Sequence, residues 1–443
     1  MKTTIKNSKM TWLVLGTAGT WLLLLAALPA QQPGNDKKDP FVKNVASAEK
    51  AAVDEGEEDD DSEIYNIVVQ LEYIDVPRVK LVDYAIDPGI DTDATPLRQR
   101  VQEWIEAGEA SVFETSLLAT RSGQPGKVES LGLLTYATSW RAESGFPAIW
   151  GKRAFGSVVE IDPVYSLNDG SIDLRVAAEI VKHAGESPAS PKPSWFQQGD
   201  TYMPLFQTMQ FSTSVTCIPD HYMLLGTQPP FNGANDRSIL AFVRCGRSYV
   251  RPNKATDVAN QQSVTIEHIE VLSEDYDRWA YTQTVGEIPL TARETAGKWV
   301  SSDRARNVGF AVIQGRSGQK LRASSIVELT FAKDHHWSDV GQAVGSGGVN
   351  TGATVDMITV FGVGGICDLN VTPEITAFVG TNVTHRDKGK PDCVHPIFHT
   401  MKTTSQQTLK VGETRLWSTM TPPGDNGQPD FKHKVLMFVT VRR

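Results

Sequence analysis

One phrase of this chain is written twice. Glu72-Tyr73-Ile74-Asp75-Val76 returns 195 residues later as Glu267-His268-Ile269-Glu270-Val271, and Trp104-Ile105 returns as Trp299-Val300 at the same offset. Arg121-Ser122-Gly123-Gln124 matches Arg316-Ser317-Gly318-Gln319, and Thr135-Tyr136-Ala137 matches Thr330-Phe331-Ala332. Asp173-Leu174-Arg175-Val176 and Glu179-Ile180 match Asp368-Leu369-Asn370-Val371 and Glu374-Ile375 in the same register. A register nearly free of gaps over about a hundred residues marks a tandem duplication. Whatever one copy folds into, the other must fold into as well. The recurring residues are mostly apolar positions and turn residues, so a scaffold is what has been retained.

The start of the chain sets its compartment. Lys2, Lys6 and Lys9 precede eighteen uncharged residues, Thr11 to Leu28, and Ala27-Leu28-Pro29-Ala30 leads into the polar Gln31-Gln32-Pro33-Gly34. Residues 1–30 read as a signal peptide cut near Ala30. Leu28 is larger than the small residue favoured three places before a cut, and eighteen mostly apolar residues are just enough to span a bilayer. A signal anchor over residues 11–28 is therefore the other reading. Either way the chain is exported, to the periplasm or cell envelope, and meets a membrane only through this segment.

Residues 31–63 have no hydrophobic periodicity, and Asp54 to Glu63 holds eight carboxylates in ten positions. Such a run cannot bury enough apolar surface to offset the entropy of ordering it, so it reads as an acidic disordered linker. It also dominates the charge. The formal net charge is −9; without Lys2, Lys6 and Lys9 it is −12, and without the acidic run as well it is −4. The two copies are thus nearly neutral and carry no basic stripe, which excludes nucleic acid as a partner. A second polar linker, residues 251–263, separates copy one (64–250) from copy two (264–443). Each is long enough to bury a core of its own.

Within copy one, Ile64 to Val76 alternates and is β-branched, which predicts a strand. Thr95-Pro96 opens a helix on which Leu97, Val101, Trp104 and Ile105 share a face, and Gly108 ends it. Ala110 to Thr120 predicts a strand, Arg121 to Gln124 a turn, and Lys127 to Trp140 its return strand. Ser157 to Tyr165 and Ser171 to Val181 form a hairpin about Leu167-Asn168-Asp169-Gly170. Phe206 to Ile218, Tyr222 to Thr227 and Ser238 to Val250 complete the copy, and Val435 to Val441 repeats Ile239 to Cys245. The fold class is α+β: two tandem copies of a mainly antiparallel β domain with one or two helices.

Several phrases then fall into a recognisable order. Thr120-Arg121-Ser122-Gly123-Gln124 is followed by Val158-Val159-Glu160-Ile161-Asp162-Pro163 and by Asn168-Asp169-Gly170-Ser171-Ile172-Asp173-Leu174. Pro204-Leu205-Phe206, Ser212-Thr213-Ser214-Val215-Thr216 and Leu225-Gly226 close the series, with Pro396-Ile397-Phe398 and Val411-Gly412-Glu413 keeping the last block in copy two. Over about residues 66–245 this resembles the C-terminal domain of bacterial secretins, the ring-forming outer-membrane proteins of type II and type III secretion and type IV pili. Within that family it is most similar to the degenerate tandem versions of planctomycete- and verrucomicrobia-type bacteria. The Val-Pro-x-Leu-Gly-Asp-Ile-Pro phrase that feeds the family's membrane lip is missing from both copies, and Gln228 to Arg237 is short and polar. The resemblance therefore implies a soluble module that keeps the scaffold without making a conducting channel.

Residues that could carry chemistry are few. Cys393, His395 and His399 have spacings a zinc site could use, but Pro396 interrupts them, and copy one has Thr201, Met203 and Gln207 there. His335-His336 has no ligand spacing, and Asp87, Asp91 and Asp93 fail the calcium-loop spacing. Gly345, Gly347, Gly348 and Gly352 lack the Lys-Ser/Thr of a phosphate loop and read as a flexible hairpin end. Glu160 and Asp162 share a strand face as solvent-facing acids, and no Gly-x-Ser-x-Gly elbow is present. No catalytic, cofactor or metal residue is assigned. The sequence thus points to a non-catalytic exported structural or assembly module, linked to protein secretion or envelope organisation, whose partners are proteins or copies of itself associating through β strands. The alternative is an exported β-rich ligand-binding protein or enzyme with an unrecognised site.

Cys217, Cys245, Cys367 and Cys393 fall two per copy, in an exported chain where disulfides can form. The pairs are not equivalent: Cys217 aligns near Leu409 and Cys367 near Ile172. An inherited disulfide is therefore excluded, and at least two thiols should be free small apolar groups in strands. Thiol titration of the denatured chain should find two or more; finding none would overturn this.

Overall fold

The computed structural model describes residues 64–140, 147–188, 202–231, 233–250, 261–335, 343–385 and 393–443. The leader, the acidic linker, most of the second linker and His336 lie outside them. Copy one runs β1 (Ile64–Pro77), α1 (Arg78–Ile86), α2 (Thr95–Glu106), β2 (Ser111–Arg121), β3 (Gly126–Trp140), β4 (Pro147–Tyr165), β5 (Ile172–Pro188), β6 (Tyr202–Cys217), β7 (Tyr222–Gln228) and β8 (Arg237–Val250). Copy two answers element for element with β9 (Gln261–Leu272), α3 (Ser273–Tyr281), α4 (Ile288–Ser301), β10 (Ala305–Arg316), β11 (Lys320–His335), β12 (Ala343–Phe361), β13 (Ile366–His385), β14 (Cys393–Lys410), β15 (Thr414–Met420) and β16 (His433–Arg442). This is the mainly antiparallel α+β class that the periodicity predicts. Trp104 on α2 and Trp299 on α4 are buried at equivalent places, as the constant offset requires.

The strands form two eight-stranded sheets, ordered β10-β9-β16-β15-β2-β1-β8-β7 and β11-β12-β13-β14-β3-β4-β5-β6. Each copy gives four neighbouring strands to each sheet. The sheets pack face to face through one cluster that mixes residues of both copies, among them Ile67, Leu118, Val159, Leu174, Met357, Leu369, Trp417 and Met437. The helices cover the other face of the first sheet. Strands sandwiched in this way must be apolar on both faces. That is why Ile67-Val68-Val69 in β1 is fully buried and why β8 and β16 read as continuous apolar runs.

Three sequence expectations change. The copies do not close on separate cores: one buried cluster between the sheets draws on both. The turn at Arg121–Gln124 does not fold β3 back on β2; β2 pairs with β1, and β3 pairs with β4 in the other sheet. Its two central N–H groups explain this: Ser122 donates to Tyr65 of β1 and Gly123 to Pro163 of β4, so the turn is tied to both sheets. The glycines near 350 are not a hairpin end either. Gly347, Gly348 and Gly352 lie within β12. Cys217, Cys245 and Cys367 are free and buried; the side chain of Cys393 lies outside the described residues.

Gly352 has an exact reason to be glycine, shared with its equivalent Gly156. Their φ angles are +121° and +129°, and an added Cβ would lie 2.1 Å from the Ser325 carbonyl oxygen and 2.0 Å from that of Ser130. The backbone is left-handed and the facing strand is too close for any side chain. Gly156→Ala or Gly352→Ala should each cost about 2–4 kcal/mol in denaturant unfolding; a change under about 0.5 kcal/mol, the range of surface substitutions, would refute the tight register.

Candidate functional site

The duplication makes the place where the copies meet the most informative site. Each copy has a leading flank, β2 and β3 or β10 and β11, and a trailing flank, β6 and β7 backed by β8 and α1, or β14 and β15 backed by β16 and α3. The trailing flank of copy two meets the leading flank of copy one. In the second sheet Phe398 to Thr404 of β14 pair antiparallel with Leu133 to Lys127 of β3. In the first sheet Ser418 of β15 faces Leu118 of β2, and the Leu117 N–H donates to Thr419 Oγ1 at 2.8 Å. Side chains sew the seam between these ladders. Asn66 accepts from the Thr408 N–H at 3.0 Å and donates to its carbonyl at 2.6 Å, and Gln407 donates to the Ala119 carbonyl at 3.2 Å. At the rim Arg121 pairs with Asp368 at 3.0 Å, and Thr408 holds the other oxygen of Asp368.

The centre of the joint is charged and buried. Lys434 on β16 is 1% exposed; its Nζ lies 3.7 Å from Glu114 on β2 and donates to the Thr115 carbonyl. Thr421 donates to Glu114 at 2.9 Å, and its own N–H is taken by Ser130 of β3 at 3.1 Å. Burial raises the Glu114 carboxyl above the usual range, against the pull of Lys434. Asp277 on α3 faces the same group, and burial pushes its carboxyl up to about 6. His399, inside the β14–β3 ladder, is desolvated and pushed down to about 4. Lys434 offsets the charge of Glu114 and Asp277, and together they fix the register of one copy on the other.

The joint also buries an ion pair that the duplication kept. Arg98 on α2 meets Glu72 on β1 at 2.6 Å, and Arg293 on α4 meets Glu267 on β9 at 2.7 Å. The first pair lies under copy two: the Tyr281 ring is 4.6 Å from the Arg98 guanidinium, and Arg244, bonded to Gln70, also donates to the Ala280 carbonyl of α3. The second pair has no such cover, and the Arg293 side chain is 37% exposed where that of Arg98 is 3%.

The structure scatters the sequence-level candidates. His395 and His399 stand four residues apart on β14, roughly 13 Å along a strand, so their imidazoles do not converge on one ion. Asp93 accepts from the Thr95 N–H and meets His221, while Asp87 and Asp91 are exposed. Glu160 pairs with Lys127 at 2.9 Å. Glu114, Asp277 and Lys434 escaped sequence reasoning because each has polar neighbours (Thr115 and Ser116; Glu274, Asp275 and Arg278; Lys432 and His433), so nothing local marks it as buried. The signal that marks them is a break in the repeat: by sheet register and helix offset, copy two has Gly309 for Glu114, and copy one has Val82 for Asp277 and Ser238 for Lys434.

No family model matches the chain, and no curated protein does. Among solved structures it is similar to the secretin-domain β-barrel of InvG from the Salmonella SPI-1 injectisome, with a TM-score of 0.22 and 11% identity over 49% of this chain and 67% of that one. It is also similar to the Vibrio cholerae type IV competence pilus secretin PilQ, with a TM-score of 0.21 and 8% identity over 86% of this chain and 60% of that one.

Lys434→Met should destabilise the chain by about 3–5 kcal/mol, because it strands Glu114 without its cation. Glu114→Leu with Lys434→Met should recover most of that loss in chemical denaturation; a double variant as weak as the single would refute the pair. His399, held near 4 when folded, binds fewer protons than in the unfolded chain, so its contribution is whole above about 6.5 and is lost as pH falls toward 4. His399→Gln, the residue copy one has at Gln207, should therefore cut the stability lost between pH 7 and 4.5 by about 2–3 kcal/mol. Parallel pH curves for the two chains would refute this.

Proposed function

We propose that this protein is a non-catalytic exported assembly module that associates with copies of itself by repeating its internal joint. The head-to-tail joint carries this reading. Such a contact uses different faces on its two sides, so it leaves one of each kind unused, and heterologous contacts of this type propagate into rings or filaments. Here the unused faces are the leading flank of copy two and the trailing flank of copy one, at opposite ends of both sheets. Their apolar residues are uncovered: Phe310 is 65% exposed where its equivalent Thr115 is 2%, and Val312 is 50% where Leu117 is 0%. Paired edge strands of this kind also accept protein partners by strand addition.

The envelope setting follows from the leader, and the sequence resemblance to secretins, including their degenerate tandem versions, fits a structural role in protein secretion or envelope organisation. In this reading residues 1–30 export or anchor the chain, 31–63 space it from the membrane, and 64–250 and 264–443 form the paired unit. The unit works at the membrane without inserting as a conducting pore.

Size-exclusion chromatography with light scattering, with and without detergent, should give concentration-dependent multimers of the full chain. A monomer at every concentration would overturn the assembly reading. Heat-resistant multimers in the outer-membrane fraction together with large conductance steps would replace the non-inserting part by a channel.

A further inference from the structure

The unused flanks do not simply duplicate the internal joint. At its centre four residues have changed together. Glu114 and Thr115 on β2 face Tyr73 and Glu72 of β1, and Gly309 and Phe310 on β10 face His268 and Glu267 of β9. Lys434 on β16 faces Val271 of β9, and Ser238 on β8 faces Val76 of β1. Asp277 on α3 corresponds to Val82 on α1, helices of equal length 195 residues apart. The charged set Glu114, Lys434 and Asp277 thus becomes Gly309, Ser238 and Val82, and Thr115 becomes Phe310. Val82 is 47% exposed, and beside it Ile86, the equivalent of Tyr281 that stacks over Arg98, is 78% exposed.

The rim of the joint, by contrast, is kept. Arg316 ends β10 as Arg121 ends β2. Asp173 on β5 faces Thr216 and takes its hydroxyl at 2.7 Å, as Asp368 on β13 faces and takes that of Thr408. Asp368 gives its second oxygen to Arg121. Asp173 and Arg316 are exposed, and neither makes an ion pair with any of the described residues.

We infer that a second copy of this chain docks its β10–β11 flank on the β6–β7 flank of the first. Phe310 then packs on Val82 and Ile86 of the neighbouring copy, Gly309 lies beside Ser238, and Arg316 pairs with Asp173. The inference rests on the assembly reading and names the contacts of that interface. It also explains the fourfold change. A trailing flank of copy one on a leading flank of copy one would bury Glu114 against Ser238 with no cation. A trailing flank of copy two on a leading flank of copy two would bury Lys434 against Gly309 with only Asp277 of its own flank as anion. Burying Glu114 unpaired is strongly unfavourable. The leading flank of copy one therefore takes only the trailing flank of copy two, which leaves the other two flanks to each other, and copies one and two alternate strictly around an assembly.

Charge reversal tests this on the full chain. Arg316→Asp places two carboxylates at every chain-to-chain joint, and Asp173→Arg places two guanidinium groups there. Each variant alone should assemble at least about tenfold more weakly than the unmodified chain in sedimentation velocity, since like charges face each other. An equal mixture of the two has opposite charges at every joint and should assemble like the unmodified chain, in alternating order. That recovery also shows that both variants fold. Phe310→Glu should abolish assembly, and no charge variant should rescue it. If the unmodified chain assembles but the mixture does not recover, the named contacts are wrong although the assembly reading stands. If the unmodified chain never assembles, the assembly reading itself fails.

Discussion

The pairing of β14 with β3 is the constraint on which the rest depends. Seven consecutive residue pairs tie the end of copy two to the start of copy one and merge two four-stranded halves into continuous sheets. Strand register is unforgiving, because a one-residue slip turns every side chain to the opposite face. Once this ladder is set, Asn66 meets Thr408, Arg121 meets Asp368, and Lys434 arrives beside Glu114. The common core follows, since the inner faces of both sheets are then long enough to cover each other.

Burial separates the two chemical zones of the joint. Lys434, Glu114 and Asp277 stand where water is excluded, and their worth depends on remaining together, since a buried charge is tolerable only when paired. Arg121 and Asp368 lie at the half-exposed rim, where an ion pair adds little affinity but does fix register and reject wrong partners. After duplication the rim could stay unchanged in both copies, because it serves any head-to-tail contact. The centre could not change one residue at a time. Exchanging Lys434 alone strands Glu114 and Asp277, and exchanging Glu114 alone leaves Lys434 with only Asp277, so the polar and the apolar versions each appear as complete sets.

The retained ion pairs show how cover changes the meaning of the same residues. Glu72–Arg98 and Glu267–Arg293 are identical in sequence position and in partner. One lies in the interior because α3 reaches over it, and the other stays half in water at a free end. Nothing in the local sequence distinguishes them; the difference is made by elements about 200 residues away.

Sequence alone determined the duplication, the α+β class, most strands, the helix carrying Trp104 and the turn glycines, because periodicity and turn chemistry are local and were written twice. It also located the absence of inherited disulfides by the mismatch of Cys217 with Leu409 and of Cys367 with Ile172. It did not determine that the copies share their sheets, that the Arg121–Gln124 turn crosses between sheets, or that Glu114, Asp277 and Lys434 meet. Apolar alternation says which face of a strand is buried but not by which strand. Only the tertiary pairing of β14 with β3 and β15 with β2 brings residues more than 300 positions apart, Glu114 and Lys434, to one buried point.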